Sequence, residues 1–382
     1  MWPLALMIAF TPERQGIDVA LVIGRSGEGG VERMLVNTAS GLAELGLRVT
    51  LVSGSNWIAF QDQLDERVEV MALPWRQPCA ELTSVLSQLK PRIAISGKLT
   101  DDRLLLAARD RSEQATKVYF RVGNPLGSRA RSKAHSRLSA WWQLRGLRRL
   151  YRRVDGCIAV SRGNARDLQT ELRVPPARTI VLPNPVVTPE LLRQGEAIPE
   201  HPWFEAGQPP VIIAVGGLRQ QKDFTTLLRA FAELRCRREC RLIIVGGGRQ
   251  AQRLQSLASV LGIARDVDLV GWLANPYPLI RQANALALSS LWEGFGNVLV
   301  EALALGTPVV ATDCPYGPRE ILQDGAYGCL VPVADPAAMA NALDVTLSAP
   351  ESGIQLSEAT APYTRRASAT AYARALRLDS RR

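Results

Sequence analysis

A chain of 382 residues exceeds one ordinary domain and gives two domains room for a core each. Its hydrophobic share of 47% and charged share of 21% are those of a globular protein, and no apolar run of about 18 residues argues for a membrane-spanning helix. A formal charge of +10 calls for an anionic partner: nucleic acid, an anionic membrane surface or a phosphate-bearing ligand.

In chain order, Met1–Phe10 is apolar but has neither a basic start nor a small-residue cleavage site, so a start codon set too far upstream explains it better than a secretory signal. Strand-length apolar runs then alternate with helical spacing. Val19–Ile23 reads as a strand, Val31–Leu45 as a helix and Val49–Ser53 as a strand, with further strands at Ile93–Ser96 and Gly156–Val160. Parallel βαβ units with strands buried on both faces give this pattern. Pro183–Pro210, with seven prolines, breaks it and reads as a linker rather than a core element. The alternation then restarts: strands at Val211–Val215, Leu242–Val245, Leu286–Ser289 and Val309–Thr312, helices at Phe224–Arg235 and Leu254–Leu261. The expected organisation is a first Rossmann-like domain at 1–185, a linker at 186–210, a second Rossmann-like domain at 211–355, and a segment at 356–382 whose helix, Thr364–Leu378, returns toward the first domain. Six cysteines form no C-x-x-C pair, and a chain with full cores has no need of disulfides, which suits a reducing cytoplasm. The two histidines, His135 and His201, are too far apart to suggest a metal set.

Three constellations carry chemistry. The first is the glycine-rich loop Gly24–Arg33, where glycines allow close approach and a helix start attracts phosphate; it has neither G-x-G-x-x-G nor P-loop spacing, and alone it reads equally as a tight turn. The second is Val215–Phe224, where Gly216 and Gly217 end a strand and Arg219 and Lys222 either aim charge at a diphosphate or are solvated surface cations. The third is Glu293-Gly-Phe-Gly-Asn-Val-Leu-Val-Glu301, with one carboxylate in a glycine loop and the other a turn into the following helix. Both can face a ligand at that helix start, where a carboxylate accepts from ribose hydroxyls and loop N–H groups meet sugar or phosphate; the alternative is a pair of plain surface glutamates.

With these motifs, Gly306-Thr-Pro-Val-Val310 and Asp313-Cys-Pro-Tyr-Gly-Pro-Arg-Glu320, the stretch Val211–Val333 resembles the donor domain of retaining glycosyltransferases of family 4. The first half is similar more loosely, through Gly29–Arg33 and Asn184-Pro185. The resemblance implies a GT-B fold of class α/β, two Rossmann-like domains facing across a cleft. It also implies transfer of a hexose or N-acetylhexosamine from a UDP-sugar to a lipid-linked or lipopolysaccharide-type glycan. Lys222, Arg219 and Glu293 would be the catalytic set, and Gly216, Gly217, Gly294, Phe295, Gly296, Asn297, Val298 and Glu301 would bind the donor. Gly29, Gly30, Arg121 and Asn124 would form the acceptor-side or phosphate wall. Two departures stand out: the family's arginine is replaced by Gly217, with Arg219 as the substitute, and its histidine is absent, with Arg121, Gly123 and Asn124 in that region. Lacking a base, the reaction would use the departing phosphate to take the acceptor's proton, retaining anomeric configuration. A cation pair would replace the metal, so no cofactor is expected, and Asp266-Val-Asp268 reads as solvated capping residues. Within the same fold a sugar-nucleotide epimerase or a phosphorylase is the rival, and from another class a basic nucleic-acid-binding module.

Arg129–Arg153 holds nine Lys or Arg, no Asp or Glu, and Trp141-Trp142. That composition suits an anionic membrane surface, or a solvated helix face; nucleic acid lacks a recognition motif here. The expected location is cytoplasmic, peripheral on the inner face of the membrane.

Overall fold

The computed structural model describes residues 16–24, 27, 29–73, 75–133, 136–348 and 358–378. Met1–Phe10, His135 and part of the Gly24–Arg33 loop lie outside the described residues.

β1 (Val19–Ile23) and β2 (Val49–Ser53) are buried along their whole length, as strands with helices over both sheet faces must be. With β3 (Glu69–Ala72), β4 (Ile93–Ser96), β5 (Lys117–Val122), β6 (Gly156–Ala159) and β7 (Thr179–Val181) they form a parallel 7-stranded sheet, ordered β3-β2-β1-β4-β5-β6-β7. β8 (Val211–Val215), β9 (Arg241–Val245), β10 (Val267–Gly271), β11 (Ala285–Leu288), β12 (Val309–Thr312) and β13 (Cys329–Val331) form a parallel 6-stranded sheet, ordered β10-β9-β8-β11-β12-β13. Helices α1 (Gly30–Glu44), α2 (Pro78–Leu89), α3 (Leu99–Ser112), α4 (Leu126–Lys133), α5 (Arg137–Tyr151) and α6 (Arg162–Thr170) belong to the first sheet. Following α7 (Pro189–Gly195), the second sheet carries α8 (Phe224–Arg235), α9 (Ala251–Val260), α10 (Tyr277–Gln282), α11 (Asn297–Ala304), α12 (Pro318–Ile321) and α13 (Pro336–Ser348).

Strand order reverses between β1 and β4 in one sheet and between β8 and β11 in the other. Crevices for ligands open at such switch points, outside the C-terminal strand ends. Here the two crevices face each other and share one cleft.

The segment read as a linker is built differently from a bare connection. α7 lies in it, capped by Thr188, whose Oγ accepts from Leu191 N at 3.1 Å, with Pro189 at the first helical position where a missing N–H is harmless. Leu191, Val186 and Val187 join the second domain's core beside Tyr277 and Leu303. The closing helix, Arg365–Ala375, lays Ala369, Tyr372 and Ala373 against Leu35, Ala39 and Leu42 of α1, in the first domain. Gly41 permits the approach, since a Cβ there would stand 2.9 Å from that of Ala369. Buried Arg365 pins the helix through Glu44 at 2.6 Å and Glu190 at 2.9 Å.

Candidate active site

The cleft encloses about 590 Å³ and is lined from both domains. Lys222, Arg219, Glu293, Gly216, Gly217, Gly294, Phe295, Gly296, Asn297, Val298 and Glu301 line it from the second domain, and Gly29, Gly30, Arg121 and Asn124 from the first. Two helices begin there. α1 starts after Gly29 and α11 after Gly296, whose φ of +98° suits glycine alone, and neither has a side-chain cap. Their free N–H groups and positive dipole ends therefore remain for a ligand. A Cβ on Gly30 would stand 3.6 Å from Asn297 Nδ2, so the two helix starts nearly touch across the cleft.

Lys222 ends a short 3-10 turn after the Gly216-Gly217 pair, and its Nζ lies 2.5 Å from Glu293 Oε1. The same oxygen accepts from Ser290 Oγ at 2.7 Å, which fixes the carboxylate in its buried position. Gly216 lets the lysine stem cross the strand end: a Cβ there would stand 2.8 Å from Lys222 Cε. A Cβ on Gly217 would meet Arg219 Nε at 3.3 Å. Arg219 thus occupies the space into which a side chain at 217 would grow.

Glu301 is buried in the cleft wall, and burial raises its pKa above the ordinary carboxylate range against the opposing charges of Arg33 and Lys222. Arg33 Nη1 donates to Tyr277 Oη at 2.7 Å and approaches Glu301 Oε1 at 3.4 Å, while the guanidinium lies 4.6 Å from the centre of the Phe60 ring. Sequence reading had not singled out Arg33 as a site residue. Its signal was its place in the first turn after Gly29-Gly30. Trp272, 53% exposed on the cleft lining, follows a strand with no local motif to mark it.

Gly294 is a docking point between the domains. Its carbonyl accepts from Ser161 Oγ at 3.0 Å and Asn164 Nδ2 at 2.9 Å at the start of α6, and a Cβ on it would fall 1.8 Å from the Gly123 carbonyl oxygen. A second link runs from Arg121 Nη2 to Asn184 Oδ1 at 2.6 Å and from Asn184 Nδ2 to Asn297 Oδ1 at 2.8 Å. A third joins Ser128 Oγ to Tyr316 Oη at 3.1 Å, with the tyrosine ring over Gly163.

The reading of solvated caps is corrected at Asp266, which is mostly covered, while Asp268 stays half in solvent. Asp266 pairs with Arg235 at 2.9 Å and with Arg241, Asp268 meets His201 at 3.0 Å, and neither lines the cleft. Asp266 immediately precedes β10, which borders β9, and Arg241 of β9 reaches it directly.

Arg129–Arg153 spans α4 and α5. α5 buries Leu144, Leu147 and Tyr151 and exposes Leu138, Trp141, Trp142, Arg145, Arg149 and Arg152, which share the opposite face at helical spacing. Arg148 and Arg153 turn to the protein: Arg148 Nε donates to Glu171 O at 2.9 Å and Arg153 pairs with Asp110. No described helix is long and apolar enough to cross a membrane.

Residues 209–349 match the family model described as Glycosyl transferases group 1, and residues 28–189 the model described as Glycosyltransferase Family 4. A similar protein of Campylobacter jejuni, N-acetylgalactosamine-N,N'-diacetylbacillosaminyl-diphospho-undecaprenol 4-alpha-N-acetylgalactosaminyltransferase, is 32% identical over 198 residues, 52% of this chain and 52% of its own. The lipopolysaccharide 1,6-galactosyltransferase of Salmonella typhimurium is 34% identical over 130 residues, 32% of this chain and 36% of its own. The matches thus span about half the length of these relatives or less. Among solved structures, Anabaena HepE in complex with UDP-glucose superposes with a TM-score of 0.76 at 18% identity, over 95% of this chain and 100% of that one. With a family model on each half and that architecture over nearly the whole length, the chain belongs to the group 1, family 4 glycosyltransferases and has their GT-B fold.

Proposed function

We propose that the chain is a retaining, metal-independent hexosyltransferase. It moves a hexose or N-acetylhexosamine from a UDP-sugar to a lipid-linked or lipopolysaccharide-type glycan at the cytoplasmic face of a membrane. One observation carries the reading: the uncapped starts of α1 and α11 and the cations Lys222 and Arg219 converge on one cleft. That array suits a diphosphate whose charge grows as the nucleotide leaves. Glu301 is suited to accept from ribose hydroxyls, and Glu293 with the backbone N–H groups of Gly294–Asn297 to hold the transferred sugar. The acceptor oxygen bonds to the anomeric carbon as the bond from that carbon to the diphosphate oxygen breaks. The acceptor's proton passes to the departing phosphate oxygen on the same sugar face, so configuration is retained and UDP leaves.

The names of similar proteins support the substrates: one acts on a diphospho-undecaprenol-linked glycan, one is a lipopolysaccharide galactosyltransferase, and HepE was solved with UDP-glucose. The outer face of α5, with two tryptophans beside arginines, supports docking on anionic lipid.

The test is a panel of UDP-, GDP- and ADP-sugars, read by thermal stabilisation and by nucleotide release. UDP-hexoses should raise the melting point most, and UDP should appear only with a glycan acceptor. The product should keep the donor's anomeric configuration by NMR, at an unchanged rate in EDTA. No nucleotide release with any donor would end the reading, and rescue of a chelated enzyme by manganese would end its metal independence.

A further inference from the structure

Arg33 crosses the cleft from the first turns of α1 to the second domain. Its backbone N–H bonds Gly29 O at 3.2 Å, which ties the residue to the helix start. Three contacts then fix its guanidinium. Nη1 donates to the Tyr277 hydroxyl of α10 at 2.7 Å, and the guanidinium carbon lies 4.6 Å from the centre of the Phe60 ring and 5.6 Å from that of Tyr277. A planar cation braced on rings and on a hydroxyl loses little further freedom when it meets a carboxylate.

The carboxylate it meets is Glu301 of α11, whose Oε1 stands 3.4 Å from Nη1, with 19% of the arginine side chain and 9% of the glutamate side chain exposed. Burial works against the charged form of Glu301, and Arg33 leads the charges that oppose this, ahead of Lys222. Lys222 is committed elsewhere, its Nζ lying 2.5 Å from Glu293 Oε1. The Tyr277 phenol, raised by burial and by Glu301 itself, stays neutral. Among the described residues, Arg33 is thus the cation paired with Glu301, and it comes from the opposite domain.

We propose that Arg33 is a positioning residue for the donor: it holds the Glu301 carboxylate toward the ribose, so ribose recognition by the second domain depends on a side chain of the first. The assignment rests on the reading of Glu301 as the ribose acceptor given above. A carboxylate aimed before the ligand arrives leaves no ordering cost to be met on binding. An arginine that instead touched the diphosphate, or merely braced the two domains, would act on binding without regard to the ribose hydroxyls.

Calorimetric titration of the full chain with UDP, 2′-deoxy-UDP and 3′-deoxy-UDP separates these roles. In the parent, at least one deoxy analogue should bind about tenfold more weakly than UDP, because a hydroxyl donating to a charged group is lost. In Arg33→Met that penalty should shrink to about threefold or less, through weaker binding of UDP and unchanged binding of the analogue. Arg33→Lys, which keeps the charge without the planar fork, should fall between the two. The full penalty retained in Arg33→Met, with UDP and its analogues weakened alike or not at all, overturns the proposal. If Arg33→Met does not fold, Arg33→Lys decides, and a penalty equal to the parent's overturns it. Glu301→Gln tells this failure from failure of the underlying reading. A penalty that collapses in Glu301→Gln but persists in Arg33→Met removes the positioning role alone, whereas a penalty that persists in Glu301→Gln, or is absent from the parent, removes the ribose reading and the proposal together.

Discussion

Lys222 has two attachments, one to the charge proposed to form on the leaving diphosphate and one to Glu293. Lys222→Ala should therefore lower turnover by about 10²-fold or more and also leave a buried carboxylate unpaired, with a visible drop in melting point. Adding Glu293→Gln should recover much of the stability and none of the turnover. Near-normal turnover in either folded variant would remove Lys222 from the chemistry. Asp102 sets a different test. Burial pushes its carboxyl up to about 7 from the unfolded 3.8, against the hydroxyls of Ser96 and Tyr151 and with the neighbouring Asp101 adding to the rise. The folded chain thus holds this proton more tightly than the unfolded one. Its contribution to stability is fully present below about pH 4, declines as pH climbs to about 7 by on the order of 4 kcal/mol, and then levels off. Asp102→Asn should melt above the parent at pH 8, with the gap closing toward pH 4; a gap constant across calorimetric scans from pH 4.5 to 8 would refute the shift. At this scale the sequence was legible wherever a local pattern brings the partners together, as in the Glu293–Glu301 spacing and Lys222 after its glycines. Arg33 on Glu301 and Arg121 on Asn184 are contacts between distant segments, which no local spacing records.

α5 shows how one helix divides a charged run. Leu144, Leu147 and Tyr151 fix which face turns inward, so Arg145, Arg149 and Arg152 share the outer face with Leu138, Trp141 and Trp142. Each cation near anionic headgroups contributes about 1 kcal/mol, so changing these three arginines to glutamine should weaken binding to phosphatidylglycerol vesicles by roughly 100-fold. Salt should weaken the parent's binding in the same sense, since screening acts beyond about 8 Å at physiological strength. Turnover on a short water-soluble acceptor should hold. Sedimentation of the triple variant with vesicles, unchanged from the parent, would sink the docking role. The basic segment was legible as a whole, and its division between faces was not, because Glu171 and Asp110, which claim Arg148 and Arg153, come from other elements. In α7 a proline-rich composition concealed a packed helix, since Pro189 marks its first turn and its cap is the preceding threonine.

Across the whole molecule, the alternation of strand and helix made two domains legible, while their docking depends on single atoms. Gly294 has no room for a side chain, and Gly294→Ala would drive a Cβ into the Gly123 carbonyl. The domains must then separate, so the scattering radius should grow and transfer should fall by about tenfold or more, with UDP affinity largely kept because most of the donor wall belongs to the second domain. An unchanged radius with full transfer would show that the docked arrangement is not the working one. The closing helix was expected to return to the first domain, but its residues carry no local sign of the groove they meet, because Ala369, Tyr372 and Ala373 would pack as well on any apolar groove. In the structure they complete the first domain, beside α1. A ribosome therefore delivers the last piece of that domain only after the entire second domain. Until Arg365–Ala375 emerges, Leu35, Ala39 and Leu42 lack that cover, and the nascent chain carries an apolar stripe that ribosome-bound chaperones can hold.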